Sequence, residues 1–169
     1  AVIEARFTAA FRRLSLYQRR LYDDPYRLLD PLWRRDILAA QADVAHDLFD
    51  RLRLGQSQEA IVEKVLSRYI DERSPYHDPA RRAEGLGYAV NMIDNAVDVF
   101  NALHDSNVFV EDTVEHLRQA VRDGHVDPAE GARLSDDDVA AVRLAAKAVS
   151  QKLAVVRAEI QVLKDFHLR

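Results

Sequence analysis

The chain has 169 residues and a formal net charge of −4, with 48% hydrophobic and 31% charged residues. This length is enough for one domain with a sizeable core, and the composition is that of a soluble globular protein. The absence of cysteine excludes a disulfide framework, a thiolate metal site and a cysteine nucleophile, and it fits a cytoplasmic location. No apolar run approaches the ~18 residues of a membrane span, so we expect no membrane partner.

The charge is unevenly distributed along the chain. Residues 1–35 carry eight arginines and four acids, a balance of +4, whereas the rest carries 16 basic and 24 acidic residues, a balance of −8. Because the chain is acidic overall, we do not expect a nucleic-acid partner. The basic N-terminal segment instead favours docking to another protein with an acidic surface.

Four of the five prolines directly follow an aspartate. The pairs are Asp24-Pro25, Asp30-Pro31, Asp78-Pro79 and Asp127-Pro128. An aspartate carboxylate accepts hydrogen bonds from the free N–H groups of a first helical turn, and proline suits the first helical position. Each pair therefore predicts a helix start, and no strand-like alternation occurs between them.

We predict an all-α bundle of about six helices that forms one domain over residues 1–169. The predicted helices cover residues 3–22, 31–54, 57–71, 78–105 and 109–122, followed by a long C-terminal amphipathic helix from Ser135. Two of them show a strict a/d pattern of apolar residues at spacings of three and four. These seams are Ile3, Phe7, Ala10, Leu14, Tyr17 and Leu21, and Val139, Val142, Ala146, Val149, Leu153, Val156, Ile160 and Leu163. We expect both seams to be buried.

The first predicted helix carries two rows of arginines beside its seam. Arg6, Arg13 and Arg20 recur seven residues apart, and Arg12 and Arg19 form a second row with the same spacing. Residues seven apart lie on one side of a helix. We therefore expect a basic surface that binds a partner and contributes little to folding.

The helix predicted over 78–105 has an unusual polar stripe. Its polar residues from residue 91 onward are Asn91, Asp94, Asn95, Asp98, Asn101, His104 and Asp105, and all except His104 fall within about a third of the helix circumference. This part of the chain has no Lys, Arg or Glu, and a normal surface helix has a wider, more charged face. The pattern thus predicts a helix covered on most sides, with His104 as a core histidine.

Two interpretations of this stripe remain open. In the first, Asn91, Asp94, Asp98 and Asp105 line a polar cavity or bind a hard cation such as Mg²⁺ through oxygen ligands. In the second, the stripe is a narrow solvent-exposed band or a polar contact across an oligomer interface.

Arg118 and His125 are separated by six residues, and Asp123-Gly124 ends the helix between them. This pair resembles the Arg-x(4–6)-His signature of HEPN-type ribonucleases, which are dimeric all-α proteins. The resemblance implies a ribonuclease in which both side chains lie over the scissile phosphate.

The six histidines do not cluster at metal-ligand spacing, and His46 is expected to be solvated beside Asp43 and Asp50.

The sequence favours a non-catalytic regulatory, adaptor or structural module that acts through helix–helix contacts and needs no cofactor. We expect a homo-oligomer, most simply a two-fold dimer, because the helix over 78–105 and the C-terminal helix have more apolar surface than their neighbours can cover. The alternatives are a small all-α enzyme that uses the polar stripe or the Arg118–His125 pair, and a bundle that binds a small ligand between its helices.

Overall fold

The computed structural model describes the backbone of residues 2–68 and 79–167 and the side chains of residues 7–53 and 93–165. Residues 69–78, which include the end predicted for the helix over 57–71, lie outside the described residues. The elements are α1 (Val2–Asp23), a 3-10 turn (Pro25–Leu29), α2 (Pro31–Arg68), α3 (Pro79–Arg122), the short α4 (Pro128–Gly131) and α5 (Asp136–His167). The all-α class is confirmed, with five α-helices in the described residues instead of about six.

Two of the predicted helix boundaries are wrong. α2 continues through Gly55, because an isolated interior glycine costs only about 1 kcal/mol relative to alanine. α3 continues through Ser106 and Asn107, since both side chains are buried and hydrogen-bonded to neighbouring helices. Ser106 Oγ lies 2.6 Å from Gln18 Oε1, and Asn107 Nδ2 donates to the carbonyl oxygen of Ala146 at 3.0 Å.

All four Asp-Pro pairs start helical segments as predicted, and in three of them the aspartate side chain is described. The carboxylates of Asp24, Asp30 and Asp127 each accept the N–H of the residue two positions later, at 3.1, 3.0 and 2.9 Å respectively. In the fourth pair Pro79 begins α3, and Asp78 lies outside the described residues. These hydrogen bonds satisfy N–H groups that lack a partner within the helix.

A reciprocal cap opens α5. Ser135 Oγ accepts the N–H of Asp138 at 3.2 Å, and the Asp138 carboxylate accepts the N–H of Ser135 at 2.8 Å. The pKa of Asp138 is lowered, mainly by the hydrogen bond from the Ser135 N–H. Desolvation of the carboxylate raises this pKa, whereas the Ser135 hydroxyl and the charge of Arg34 lower it further.

This cap predicts a pH dependence of stability. The pKa of Asp138 is lower in the folded protein than in the unfolded chain. The ionised Asp138 therefore contributes its full stabilisation of the fold at pH values above the ordinary carboxyl pKa, and this stabilisation disappears as the pH falls through the lowered pKa of the folded protein. Asp138→Asn should therefore lower the melting temperature at neutral pH, and the difference from wild type should shrink in acid. Thermal melts across this pH range measure it, and a constant difference would contradict the role of the carboxylate.

Contacts between the four long helices show which pairs are parallel and which are antiparallel. α1 is antiparallel to α2, because Arg13 contacts Asp43 while Arg51 lies over Phe7. α2 is parallel to α5, since its first turn contacts the start of α5 and its residue 53 contacts residue 159. α5 is antiparallel to α3, and α3 is parallel to α1.

The inner seams of α1 and α5 form the core. All eight predicted seam residues of α5 are buried. In α1, Phe7, Ala10, Leu14 and Leu21 are buried and Tyr17 is half-buried, while the side chain of Ile3 lies outside the described residues. The prediction of buried seams is therefore confirmed for every described residue except the half-exposed tyrosine.

Candidate interaction surfaces

The arginine rows of α1 lie on the surface of the bundle. Four of the five arginines are exposed, namely Arg12, Arg13, Arg19 and Arg20, and the side chain of Arg6 lies outside the described residues. Arg13 Nη2 lies 2.5 Å from Asp43 Oδ2 of α2, so its charge is partly neutralised within the protomer. Arg12 and Arg19 make no ion pair with a described residue, and their row remains available to a partner.

The polar stripe of α3 faces solvent. Its described members Asp94, Asn95, Asp98, Asn101 and Asp105 are all exposed, while the side chain of Asn91 lies outside the described residues. The inward face is formed by Ile93, Ala96, Val99 and Leu103. The expectation that this helix is covered on most sides is therefore wrong for the described part of the stripe.

His104 is not a core histidine. Its side chain is 57% exposed, and its Nδ1 lies 3.4 Å from Oδ1 of the neighbouring Asp105. The apolar pattern misplaced it because Val97 and Phe100, the residues nearest to it on the helix, are themselves only half-buried at the edge of the α3–α5 contact.

Arg118 makes its hydrogen bonds to the segment that leads into α5. Arg118 Nη1 donates to the carbonyl oxygen of Leu134 at 2.9 Å, and Nη2 donates to Asp136 Oδ1 at 2.5 Å. α3 ends just before Gly124, which has a φ of 75°, and His125 is exposed. No hydrogen bond joins Arg118 to His125, both of which are described, and the arginine instead holds the segment that leads into α5.

A group with metal-ligand geometry lies on α2. One ligand atom from each of His46, Asp47 and Asp50 falls within 4.8 Å of the others, and one imidazole and two carboxylates are suitable ligands for a divalent cation. His46 is exposed as expected, and its Nε2 lies 3.2 Å from Asp50 Oδ2. Sequence reasoning missed the buried Asp47, although the spacing i, i+1, i+4 was a usable signal. Asp47 and Asp50 also serve contacts within the protein.

The outer face of α5 carries a second row of residues at coiled-coil spacing, which we call the outer row. It consists of Ala141, Leu144, Ala148, Gln151, Val155, Ala158 and Val162. All seven are exposed and none is charged; Leu144 is 71% exposed, Val162 56% and Val155 45%. The outward faces of α1 and α3 carry charged rows instead, so α5 is distinctive.

A groove separates α1 from α3. The two helices are joined where Ser106 Oγ donates to Gln18 Oε1 at 2.6 Å, and where the rings of Tyr22 and Phe109 stack at 4.3 Å between centroids. Beside these contacts is a cavity of about 340 Å³ whose apolar lining includes Phe11. The sequence showed no sign of this groove, because nothing in the seam of α1 indicates that α3 is its neighbour.

The fold and its exposed faces define an all-α helical bundle with two candidate surfaces for protein contacts. Comparisons with protein-family models, with curated proteins and with solved structures found no match. Within the described ranges, no helix is both long and apolar enough to cross a membrane.

Proposed function

We propose that the protein is a non-catalytic interaction module that self-associates through the outer row of α5. The observation that carries this proposal is a solvent-exposed row of seven uncharged residues at spacings of three and four. A helix face that remains in water normally carries long charged side chains. Coiled-coil spacing instead presents a continuous seam to a facing helix, and contiguous exposed apolar surface marks contact sites.

The charges beside the outer row favour a second copy of α5 in the antiparallel direction. Lys152 and Glu159 lie on one edge of the row, seven residues apart, and Lys147 lies on the other edge. In a parallel pair, Lys147 of each copy would face Lys152 of the other, which is repulsive. In an antiparallel pair, Lys152 of each copy faces Glu159 of the other, and two-fold symmetry makes this contact twice.

This arrangement places Val155 close to the two-fold axis. When Lys152 faces Glu159 of the second copy, the axis crosses α5 midway between them, and Val155 then packs against Ala158 of the second copy. The contacts of Lys152 with the ring of Phe49, at 4.0 Å, and of Glu159 with Arg53, at 3.8 Å, hold both charges at the α2 edge of the row.

Val155→Glu should dissociate the dimer without unfolding the protomer. The substitution buries two carboxylates near the axis without a partner, which costs several kcal/mol and raises the dissociation constant by more than ~100-fold. Sedimentation equilibrium at micromolar concentration should give twice the 19.3 kDa chain mass for wild type and a single chain mass for the variant. Leu32→Glu is the matched control, because Leu32 is 61% exposed on α2. A wild-type mass near that of one chain at every concentration would refute the proposal.

Cysteine cross-linking tests the direction of the two helices. The chain has no native cysteine, so a single introduced one reports only its own neighbourhood. In an antiparallel pair, Val155→Cys lies near its symmetry mate and should oxidise to a covalent dimer, whereas Leu144→Cys lies far from its own mate and should not. Efficient cross-linking at both positions would indicate a parallel pair instead.

A further inference from the structure

The α1–α3 groove has walls of opposite charge that lie level with each other. Two contacts fix the register of these parallel helices: Ser106 follows Gln18 by 88 positions, and Phe109 follows Tyr22 by 87. A residue of α1 is therefore level with the α3 residue numbered about 87 higher.

This register brings two arginines level with two aspartates. Asp98 follows Arg12 by 86 positions, and Asp105 follows Arg19 by the same number, so each pair is level to within about 3 Å at 1.5 Å per residue. Both the arginines and the aspartates are seven apart, so each pair lies on one side of its helix. The groove consequently has two arginines on its α1 wall and two aspartates on its α3 wall, each pair seven residues apart. Arg19 lines the cavity itself, and so does Asp23 of α1.

The opposite charges do not neutralise each other within the protomer. Across the described side chains, Arg12, Arg19 and Asp98 make no ion pair, and Asp105 contacts only the adjacent His104. All four charged residues are exposed. The groove therefore separates the two walls, and both keep their charges available to whatever lies between them.

The floor of the groove is suited to apolar contact. Phe11, Leu14 and Ala102 line the cavity of about 340 Å³ at its base. Below them, Ser106 accepts a hydrogen bond from the fully buried Gln41 at 2.9 Å and donates to Gln18, while Gln18 Nε2 and Gln41 Oε1 have no hydrogen-bond partner.

We propose that this groove binds one amphipathic helix of another protein, with acidic residues seven apart along one edge, basic residues seven apart along the other, and an apolar row between them. Its acids pair with Arg12 and Arg19, its bases pair with Asp98 and Asp105, and its apolar row packs on Phe11. A helix is about 10 Å wide, and helix-in-groove docking of this kind is a recurring mode of peptide recognition.

A second copy of this chain does not supply such a helix from its described residues. α1 has the basic row without a matching acidic row, and α2 has acids at 36, 43 and 50 without bases at the same spacing on its other edge. Beside the outer row of α5, Lys152 and Glu159 put opposite charges on one edge, so that edge is neither acidic nor basic throughout. We therefore propose a different protein as the occupant, so that the module is an adaptor that dimerises through one face and binds a partner through another.

A synthetic peptide of about three heptads tests the groove. The probe has leucine along one face, glutamate seven apart along one edge and lysine seven apart along the other, and fluorescence anisotropy measures its binding to the full chain. Arg12→Glu with Arg19→Glu, and separately Asp98→Lys with Asp105→Lys, should each weaken binding by more than tenfold. The variant with all four substitutions should recover it, because the peptide can reverse its direction and exchange its edges.

Four controls make the result specific. Arg35→Glu with Arg122→Glu changes two exposed charges away from the groove and should bind as wild type does. A probe with glutamate on both edges should bind at least tenfold more weakly, and added salt should weaken all of these contacts. Val155→Glu should bind the probe with wild-type affinity, so that a failure of the α5 dimer and a failure of this groove are distinguished.

Three outcomes would overturn the proposal. Equal binding of the probe to wild type and to both charge-reversed variants would show that the walls do not recognise it, and absence of binding to wild type would have the same meaning. If the two oppositely reversed variants associate with each other when mixed, and the probe dissociates them, a second copy of the chain occupies the face instead. Surface charges contribute little to folding, so each variant should keep its thermal transition.

Discussion

Leu153→Asp should abolish the cooperative thermal transition of the protein. Leu153 is 3% exposed and belongs to the core cluster to which all four long helices contribute. The substitution removes a buried apolar side chain, which costs about 2–5 kcal/mol, and adds an unpaired buried carboxylate, which costs several more. Because a domain is stable by only about 5–15 kcal/mol, the sum exceeds or consumes most of that stability.

Circular dichroism during heating measures this effect. Ala154→Asp is the matched control, since it places the same side chain at the next, exposed position of α5, and it should shift the melting temperature by only a few degrees. A cooperative transition of Leu153→Asp near the wild-type temperature would show that the inner seam of α5 does not face the core.

Arg34→Met should destabilise the fold by about 3 kcal/mol, through the loss of hydrogen bonds that a buried arginine supplies. Arg34 is 5% exposed, and its guanidinium donates to the carbonyl oxygens of Leu28, at 2.7 Å, and of Arg133, at 3.3 Å. It also lies 3.5 Å from Asp138 Oδ1. This one side chain thus joins the 3-10 turn, α2 and the segment before α5.

The electrostatic surroundings of Arg34 also indicate that its buried guanidinium depends on its hydrogen-bond acceptors. Burial lowers the pKa of the guanidinium, and the charges of Asp138 and Asp30 oppose that lowering. The charged form is therefore held in place by its acceptors, and a methionine of similar length leaves those carbonyl oxygens without a donor. Arg34→Lys should recover only part of the loss, because an ammonium lacks the planar fork that reaches two separate carbonyls.

The loss should appear as a fall of about 6–12 °C in melting temperature for a chain of this size. Arg35→Met provides the comparison, because the Arg35 side chain is 73% exposed and pairs only with the adjacent Asp36 at 3.8 Å. Equal melting temperatures for the two variants would mean that the Arg34 hydrogen bonds contribute no net stability.

The local features of this chain were predictable from the sequence. The aspartates at 24, 30 and 127 cap the turns that follow them, because an Asp-Pro pair needs only its own next residues to act. The inner seam of α5 was equally clear, since eight apolar residues at spacings of three and four define one face without reference to any partner. The overall class of the protein followed from these features.

Other features depended on contacts that only the tertiary structure shows. The break expected near Ser106 is absent because Gln18 and Gln41, distant in sequence, supply its hydrogen bonds. His104 and the aspartates of α3 lie in solvent. Which face of a helix is buried depends on the helices that pack against it, and the residue pattern of one helix does not identify those helices. The surplus apolar surface of α5 was recognised, but its division into a buried and an exposed row was not.

The sequence by itself determined where the turns are capped and which faces of α1 and α5 are apolar, because capping and periodicity act within one helix. The tertiary structure decided which helices are neighbours, and with that the level placement of Arg12 with Asp98 and of Arg19 with Asp105. Those residues are 86 positions apart, and only the packing of α1 beside α3 in the parallel direction places them on opposite walls of one groove.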